Sequence, residues 1–455
     1  MQRSAEKLRA DVERIWRAGV AAVLPARLMP EHVQVDGNWL VVDDDSFDLT
    51  PVRRIAIVGA GKAAGAMAVA LEKLIGHKLL AEKDVVGWVN VPADCLEPTE
   101  RVHLHAARPA GANEPRPEGV VGTRKIREIV ASLSADDICI CLFSGGGSAL
   151  LPAPIDRLPL DEKIRLTRLM SAAGANIEQL NTVRQQLSLV KGGKLALDCT
   201  AGRLITLVIS DVLGDPPQII ASGPTVPTTR TAADALAILE ELNLAGDLSL
   251  KLSVEYLTGQ VRTKMEQRSP TAQMSFHILG NNAAAVDGAG VEAERLGYSH
   301  AMIAATKSEE SAEEVGRHLA QIASKMRDEL GPDCLISGGE PTVTLVDEAT
   351  RGRGGRNQQL AVAALTELGD CHGIAMLAAG TDGEDGPTNA AGAFVTEEVL
   401  SAVKKKGLRP ADYLARNDAY TFFENANGLF VTGPTRTNVC DLRVVVVTQD
   451  QSHHH

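Results

Sequence analysis

The chain has 455 residues, of which 44% are hydrophobic and 23% charged, and its formal net charge is −12. This length exceeds what one hydrophobic core usually supports, so we expect two domains. The negative charge argues against a general nucleic-acid binder, which would carry a basic face. It does not exclude an anionic substrate, because nearby cations dominate at short range.

Cysteine usage and hydropathy indicate the cellular setting. The seven cysteines are scattered through apolar runs without a CxxC pair, which predicts buried reduced thiols rather than disulfides or a zinc site. Acidic residues interrupt the N-terminal segment, so it does not resemble a secretion signal. The sequence contains no run of about 18 apolar residues, so we expect no membrane span. We therefore expect a cytoplasmic protein.

The first predicted element is an amphipathic helix within MQRSAEKLRADVERIWRAGVAAVL. Beyond it, runs rich in Val, Ile and Leu alternate with helical patterns, which is typical of parallel α/β layers. The predicted strands are RRIAIVGAG, DVVGWVNVP, DICICLFSGGG, RLITLVISDV, FHILGNN, SHAMIAAT, DCLISGGE, TVTLVD, IAMLAAGTDG, LFVTGP and LRVVVV. We place one α/β domain at residues 1–245, a second at 246–450, and a tail with a tag remnant at 451–455.

The turn after the first of these strands reads GAGKAA. Gly59, Gly61 and the following alanines fit a loose dinucleotide-binding fingerprint, but the next strand supplies only Asp94, beyond a proline, to hold a ribose. Lys62 is the more informative residue. It is predicted in the first helical turn, where a lysine either faces solvent or points at a phosphate held by the helix N-terminus.

The buried strand DICICLF is followed by two serines that enclose three glycines. Consecutive glycines let several backbone N–H groups converge on one anion, although a plain flexible turn has the same composition. The residues of this loop are Ser144, Gly145, Gly146, Gly147 and Ser148.

Two further segments carry charges suited to an anion or a metal. Arg184, Lys191 and Lys194 have spacings that predict one helical face, either solvated or turned to substrate. Asp211 and Asp215 follow a strand, where carboxylates hold Mg²⁺ beside phosphates or simply form turns.

The C-terminal third has an acidic turn, AAGTDGEDG, and an arginine–glycine loop, RGRGGRN. Asp382 in the acidic turn would suit a metal, a ribose or a general base. Glu340 lies shortly before the arginine–glycine loop, so an ion pair that rigidifies this loop is one interpretation. The other is an anion clamp built from Arg353, Gly355, Arg356 and Asn357.

Taken together, cations, backbone donors and acids at strand ends fit phosphoryl transfer. In chain order, the motifs GAGKAA, LFSGGGSALLPAP, NTVRQQLSLVKGGKLA, ISDVLGDPPQIIASGPTVP, LISGGEPTVTL, GRGGRNQQLAVAAL and AAGTDGEDGPTNAAGAFV resemble the glycerate 2-kinases of the MOFRL type. The resemblance covers nearly the whole chain. It implies a Rossmann-like N-terminal domain and a smaller C-terminal MOFRL-type domain, with the active site in the cleft between the domains.

The resemblance also implies phosphorylation of D-glycerate at its 2-hydroxyl, using ATP and Mg²⁺ and giving 2-phosphoglycerate and ADP. The partners are then small molecules, with neither nucleic acid nor membrane. The oligomeric state stays open, with a homodimer as one candidate. An NAD(P)H-dependent hydroxypyruvate reductase and a non-catalytic metabolite sensor are the alternatives.

Two family positions carry over directly: the lysine of the GAGK turn falls on Lys62, and the arginine of the GGRNQ stretch falls on Arg356. Both are expected to stabilise the transferring phosphoryl group. The glycine loop, with Arg184 or Lys191, is expected to hold the carboxylate of glycerate. The Asp residues named above would hold Mg²⁺ or accept the hydroxyl proton. Where the family has His-Pro-x-Pro-Asp, this chain has Arg108-Pro109, so substrate specificity is in question at that loop.

Overall fold

The computed structural model describes residues 3–112, 114–263, 269–307 and 309–449. The chain divides into two compact units, as expected for a protein of this length. The middle unit comprises Met29–Leu279, and the terminal unit joins the chain up to Leu28 to the chain from Gly280 onward. The sequence-based boundary at 245/246 falls inside the middle unit, because the strand Gln273–Gly280 adds to the edge of that unit's sheet. The tail at 451–455 lies outside the described residues.

The α-helices of the described residues alternate with strands along most of the chain. In chain order they are α1 Ala5–Ala22, α2 Pro25–His32, α3 Ala64–Glu82, α4 Pro117–Ala131, α5 Gly147–Leu150, α6 Leu160–Ala172, α7 Ile177–Gln186, α8 Lys194–Asp198, α9 Ala232–Glu241, α10 Lys251–Thr263, α11 Asn282–Arg295, α12 Ala312–Asp328, α13 Arg356–Leu368, α14 Glu397–Lys406, α15 Pro410–Leu414 and α16 Ala419–Ala426.

The strands form three sheets. In chain order they are β1 Val33–Asp36, β2 Trp39–Val42, β3 Asp45–Asp48, β4 Ile55–Ala60, β5 Val86–Pro92, β6 Val102–Arg108, β7 Ile138–Ser144, β8 Arg203–Ile209, β9 Gln273–Gly280, β10 His300–Ile303, β11 Cys334–Gly339, β12 Ile374–Gly380, β13 Gly392–Val395, β14 Leu429–Phe430 and β15 Asp441–Val447.

The large sheet of the middle unit has the strand order β6-β5-β4-β7-β8-β9. Its pairs β4–β5, β5–β6, β4–β7 and β7–β8 are all parallel. This is the doubly wound order of the Rossmann fold, in which the direction of adding successive strands to the sheet reverses between its first and fourth strands. The reversal lies between β4 and β7, so the loops after these two strands meet at one edge.

The sheet of the terminal unit has the order β10-β11-β15-β12-β13-β14. The pair β10–β11 is parallel, but β15 runs antiparallel to both β11 and β12. The expectation of parallel layers is therefore wrong for this unit, because the last strand of the chain inserts in the opposite direction. One consequence matters for function: Asp441, which begins β15, pairs with Gly339 on one side and with Gly380 on the other.

The predicted N-terminal helix is confirmed as α1, and its apolar face lies in the core of the terminal unit. It packs against α11, β12 and β15, so the two ends of the chain share one core. Burial of a large apolar side chain contributes about 1.5–3 kcal/mol, so this face anchors the helix. The residues of the face are Leu8, Val12, Ile15, Trp16 and Val20.

Other elements differ from the sequence-based expectations. TVTLVD is a loop rather than a strand, and the small antiparallel sheet β1-β2-β3 was not predicted. The strands β6 and β13 were also missed. All seven cysteines are buried, as predicted. Among the described residues, no helix is long and apolar enough to cross a membrane.

Candidate functional site

Lys62 lies where the strand order of the middle sheet reverses. It precedes α3, which begins at Ala64, so its predicted place in the first helical turn is wrong. The backbone N–H of Lys62 donates to the Gly145 carbonyl oxygen at 2.9 Å, and the N–H of Ala63 donates to Ser144 Oγ at 2.9 Å. These bonds hold the turn after β4 against the glycine loop after β7, and they use the Ser144 hydroxyl internally.

Two glycines at this junction are required by geometry. Gly61 has φ +148°, and a Cβ there would lie 2.0 Å from Ser144 Oγ. Gly146 has φ +77°, and a Cβ there would lie 3.1 Å from Arg108 Nη2 and 3.8 Å from Lys62 Cγ. The side chains of Arg108 and Lys62 thus flank the glycine loop, and the atypical Arg108 is part of this site. Gly59, by contrast, is buried inside β4.

A chain of hydrogen bonds fixes the end of the glycine loop. Lys191 Nζ donates to Ser148 O and Ser148 Oγ, each at 2.8 Å. Ser148 Oγ lies 2.9 Å from Ser222 Oγ, which donates to Asn181 Oδ1 at 2.9 Å. Lys191 is buried, and desolvation with the charges of Lys163 and Arg184 nearby lowers its pKa well below the ordinary value. Lys191 therefore positions the loop from beneath.

The three cations expected on one helical face belong to different elements. Arg184 is on α7, which ends at Gln186; Lys191 lies in the turn that follows; and Lys194 begins α8. Lys194 Nζ donates to the carbonyl oxygens of Gln185 and Ser188 at 2.7 Å, so it satisfies the C-terminal end of α7. Arg184 remains half-buried beside the other two.

Asp211 and Asp215 lie in the turn after β8, next to β7 in the sheet. Both are partly exposed, and their carboxylates are the hard oxygen donors that Mg²⁺ takes. Among the described residues, no group of three or more His, Cys, Asp or Glu could hold a metal ion by itself. Asp211 and Asp215 could supply two of the oxygen ligands that Mg²⁺ takes, and its other ligands would come from water and phosphate.

In the terminal unit, Arg356 begins α13 and forms the ion pair that the sequence left open. Its Nε and Nη2 donate to the two carboxylate oxygens of Asp441 at 2.7 and 3.1 Å, and its Nη1 donates to Glu340 Oε1 at 2.9 Å. Burial opposes the charge of Arg356, but Asp441 and Glu340 raise its pKa overall. These bonds use three of the five guanidinium donors.

A second arginine–carboxylate pair, Arg443 with Glu309, contacts the Arg356 cluster through Glu340. Arg443 on β15 donates from Nη1 and Nη2 to both carboxylate oxygens of Glu309, at 2.9 and 2.6 Å. The same Glu309 accepts the backbone N–H of Glu340 at 2.8 Å. Burial raises the pKa of Glu340, although Arg356 opposes this. Glu340 is thus fixed from its backbone and its side chain.

The N-terminus of α13 is occupied by a carboxylate of the chain itself. Asp385 accepts the backbone N–H of Asn357 at 3.0 Å and that of Gln358 at 2.8 Å, and Asn357 Nδ2 at 3.3 Å. Gly355 is the N-cap residue. Asp385 is buried, and desolvation raises its pKa to about 7 despite the backbone bonds. Asn357 is therefore turned inward to Asp385.

Replacing Asp385 with asparagine is expected to lower the free energy of unfolding by about 1–2 kcal/mol, because one of its two accepting oxygens becomes a donor. The cost should be larger at acidic pH than at pH 7. The folded pKa of Asp385, about 7, exceeds the unfolded value, so this group stabilises the fold below pH 4 and loses that contribution as pH rises to 7. Denaturant titrations of both proteins at several pH values check this, and a pH-independent difference would contradict it.

Of the remaining predicted residues, Arg353 lies apart from the Arg356 cluster, whereas Asp382 lies near Asp441. Arg353 is exposed, stacks over the ring of Tyr420 at 4.5 Å and lies 3.9 Å from Glu424. This places Arg353 on the surface of α16 rather than beside Glu340. Asp382 Oδ1 accepts the backbone N–H of Glu384 at 3.0 Å, in the turn after β12.

Sequence reasoning missed several residues that complete these clusters. Asp441, Arg443 and Glu309 lie far apart in sequence and were not singled out, because only the antiparallel insertion of β15 brings them together. Lys163 on α6 was not singled out either. A lysine at a position of otherwise apolar periodicity was the one signal available.

The strand order defines a doubly wound α/β unit, and Lys62 and the glycine loop lie at the reversal of its sheet, where this fold class binds ligands. Residues 11–255 match DUF4147, a domain of unknown function, and residues 333–441 match the MOFRL family. The bovine (Bos taurus) glycerate kinase is 36% identical over 96% of this chain and 93% of its own length. The D-glycerate 2-kinase of Thermotoga maritima is 36% identical over 87% of this chain and 91% of its own length.

A crystal structure of glycerate kinase from Thermotoga maritima matches with a TM-score of 0.77 and 33% identity, covering 97% of this chain and 100% of that chain. The chain therefore belongs to the glycerate kinase family of enzymes, built from a DUF4147 domain and a MOFRL domain. The sequence-based assignment to the MOFRL-type family is confirmed.

Proposed function

We propose that this protein transfers the γ-phosphoryl group of ATP to the 2-hydroxyl of D-glycerate, giving 2-phosphoglycerate and ADP. The new bond joins the 2-hydroxyl oxygen to phosphorus, the β–γ bridging bond breaks, and the hydroxyl proton passes to a carboxylate. The observation that carries this proposal is the position of Lys62 beside the glycine loop, at the reversal of the middle sheet. The names of the relatives support the substrate and the kinase class.

In the middle unit, Lys62 is proposed to neutralise charge on the transferring phosphoryl group. The backbone of the loop Ser144–Ser148 would supply N–H donors to an anion, since Gly146 has the left-handed conformation found in anion-binding nests. Asp211 and Asp215 would hold Mg²⁺, which would supply positive charge beside the phosphates.

In the terminal unit, Arg356 is proposed to be required for turnover, with Asp441 and Glu340 fixing the plane of its guanidinium. The two guanidinium N–H donors of Arg356 that these bonds do not use would donate to a phosphate. Asp382, at the end of β12, is proposed as a further carboxylate for Mg²⁺ or for the hydroxyl proton.

The experiment follows ADP release from purified protein with ATP, Mg²⁺ and D-glycerate, and identifies the phosphoglycerate isomer by NMR. Release of ADP together with 2-phosphoglycerate is expected. Formation of 3-phosphoglycerate would contradict the 2-hydroxyl assignment. Parallel reactions contain hydroxypyruvate with NADH or NADPH. Consumption of reduced nicotinamide without ADP release would favour the reductase and reject the kinase.

A further inference from the structure

Lys163 on α6 is a buried cation without a compensating partner. Its side chain belongs to a residue only 5% exposed, and its Nζ makes no hydrogen bond to the described residues. The neighbouring carboxylate Glu162 is not its counterion, because Glu162 Oε1 accepts the backbone N–H and the hydroxyl of Ser253, each at 2.7 Å. Burying an ammonium without a partner costs several kcal/mol unless something else compensates for it.

The charges around Lys163 increase that cost. Within the described part of the chain, Lys163 interacts electrostatically with Arg184 from α7, Lys194 from α8 and Lys191 between these helices, all of them positive. Lys194 is occupied by carbonyl oxygens of α7, as described above. Arg184 forms no ion pair with a described acid. Lys163 and Arg184 thus present positive charge at one place where the described chain supplies no carboxylate.

A third donor lies on the same helix face. Asn181 precedes Arg184 by three residues on α7, a spacing that puts both on one side of the helix. Its Oδ1 accepts Ser222 Oγ at 2.9 Å, whereas its Nδ2 is buried and has no hydrogen-bond partner among the described residues. Through Ser222 and Ser148 this face is joined to the glycine loop, whose other end lies against Lys62.

We propose that Lys163, Arg184 and Asn181 form an internal anion subsite that takes the carboxylate of the hydroxy-acid substrate. The inference deepens the proposed function and rests on it for the identity of the acid. All three groups are donors, and a carboxylate supplies the acceptor oxygens and the negative charge that they lack. Lys163 and Asn181 are each 5% exposed, so these donors lie inside the protein rather than on its surface. Lys191 then positions the loop, while Lys163 contacts the substrate.

The test measures binding of D-glycerate without ATP, by calorimetry, to the wild type and to Lys163→Met, which keeps the aliphatic stem and removes the charge. The variant is expected to bind D-glycerate about 10–100-fold more weakly, as for loss of a charged hydrogen bond. Lys125→Met, an exposed lysine on α4, is the matched control and should bind as the wild type does. Unchanged affinity in Lys163→Met would overturn the proposal.

The melting temperature of Lys163→Met distinguishes a ligand-binding role of Lys163 from a structural role. Because Lys163 is an uncompensated buried charge, the ligand-free Lys163→Met protein is expected to melt about 2–4 °C higher than the wild type, and to lose the rise that D-glycerate gives the wild type. A lower melting temperature with the glycerate-induced rise retained would overturn the subsite. If Lys163→Met fails to fold, Lys163→Gln takes its place, with the same expected loss of affinity.

Other ligands fix the chemical class. D-Lactate, which keeps the carboxylate, is expected to raise the melting temperature, and glycerol, which lacks it, is not. Protection by inorganic phosphate but not by D-lactate would overturn the carboxylate assignment. None of these measurements requires turnover. A protein that binds D-glycerate through Lys163 but releases no ADP would contradict the proposed kinase and leave the subsite standing. If the protein is a kinase and Lys163→Met leaves its KM for glycerate unchanged, the subsite is contradicted and the proposed function stands.

The pH dependence supplies an independent check. Desolvation, with Arg184 and Lys194 nearby, lowers the pKa of Lys163 to about 7, below its unfolded value. Below pH 7 the ammonium is present in both states, and its burial fully penalises the fold; the penalty is relieved as pH rises above 7. Anion binding needs the ammonium, so D-glycerate affinity is expected to fall more steeply between pH 7 and 9 in the wild type than in Lys163→Met, where Lys194, whose pKa burial lowers to about 8, still loses its charge. Parallel pH profiles for the two proteins would contradict this.

Discussion

Replacing Lys62 with alanine is expected to lower kcat for glycerate phosphorylation by about 10²–10³-fold, the effect of removing one preorganised charge or donor from a transition state. The fold should be retained, because the turn is held by backbone bonds from Lys62 N and Ala63 N that alanine preserves. Steady-state ADP release measures the change, and denaturant unfolding verifies the fold.

The matched control is Lys73→Ala, an exposed lysine on α3 of the same unit. It should keep kcat within about twofold, as surface substitutions usually do. A Lys62→Ala enzyme whose KM for ATP rises while kcat is unchanged would show that Lys62 binds the ground state and the transition state equally. Near-normal kcat and KM would remove Lys62 from the site.

Replacing Arg356 with alanine is expected to affect turnover and stability together. Loss of the guanidinium should lower kcat by about 10²-fold or more if its remaining donors face the phosphoryl group. It also leaves Asp441, which is 1% exposed, as a buried carboxylate without its bidentate partner. Breaking a fully buried pair costs about 3–5 kcal/mol; the Arg356 side chain is 34% exposed, so we expect about 2–3 kcal/mol.

Two further variants separate these roles. Arg356→Lys keeps the charge but not the bidentate geometry, so it should recover part of the stability and little of the activity. Arg317→Ala removes an exposed arginine from an i, i+4 pair on α12 and should cost no more than about 0.5 kcal/mol. An Arg356→Ala enzyme that is destabilised but turns over normally would contradict the catalytic role of Arg356. Its role would then be the ion pair that rigidifies the loop, which is the other interpretation of the sequence.

The sequence was most informative where one segment contains its own signal. The GAGKAA turn and the SGGGS loop each follow a continuous apolar strand, and the structure brings them together because β4 and β7 are neighbours. The family also followed from the motifs in order. These features are local, and their periodicity and glycine content are visible in a single segment of chain.

The tertiary structure decided which charges meet. Arg353 and Arg356 are three positions apart in sequence, yet Arg353 lies on Tyr420 while Arg356 is held by Asp441. The difference depends on β15, whose antiparallel insertion between β11 and β12 brings Asp441 to the start of α13. A strand's direction in a sheet is set by pairing with distant segments, so no local pattern contains it.

The sequence by itself therefore determined the family, the α/β class and the two strand-end loops around Lys62, because these depend on short-range patterns of apolar and glycine residues. Only the tertiary structure decided that Lys191 supports the glycine loop from beneath, that Asp385 occupies the N-terminus of α13, and that Lys163 is buried beside Arg184. The physical reason is that burial and charge pairing are properties of the packed chain: the free energy of a charged side chain depends on which distant groups surround it.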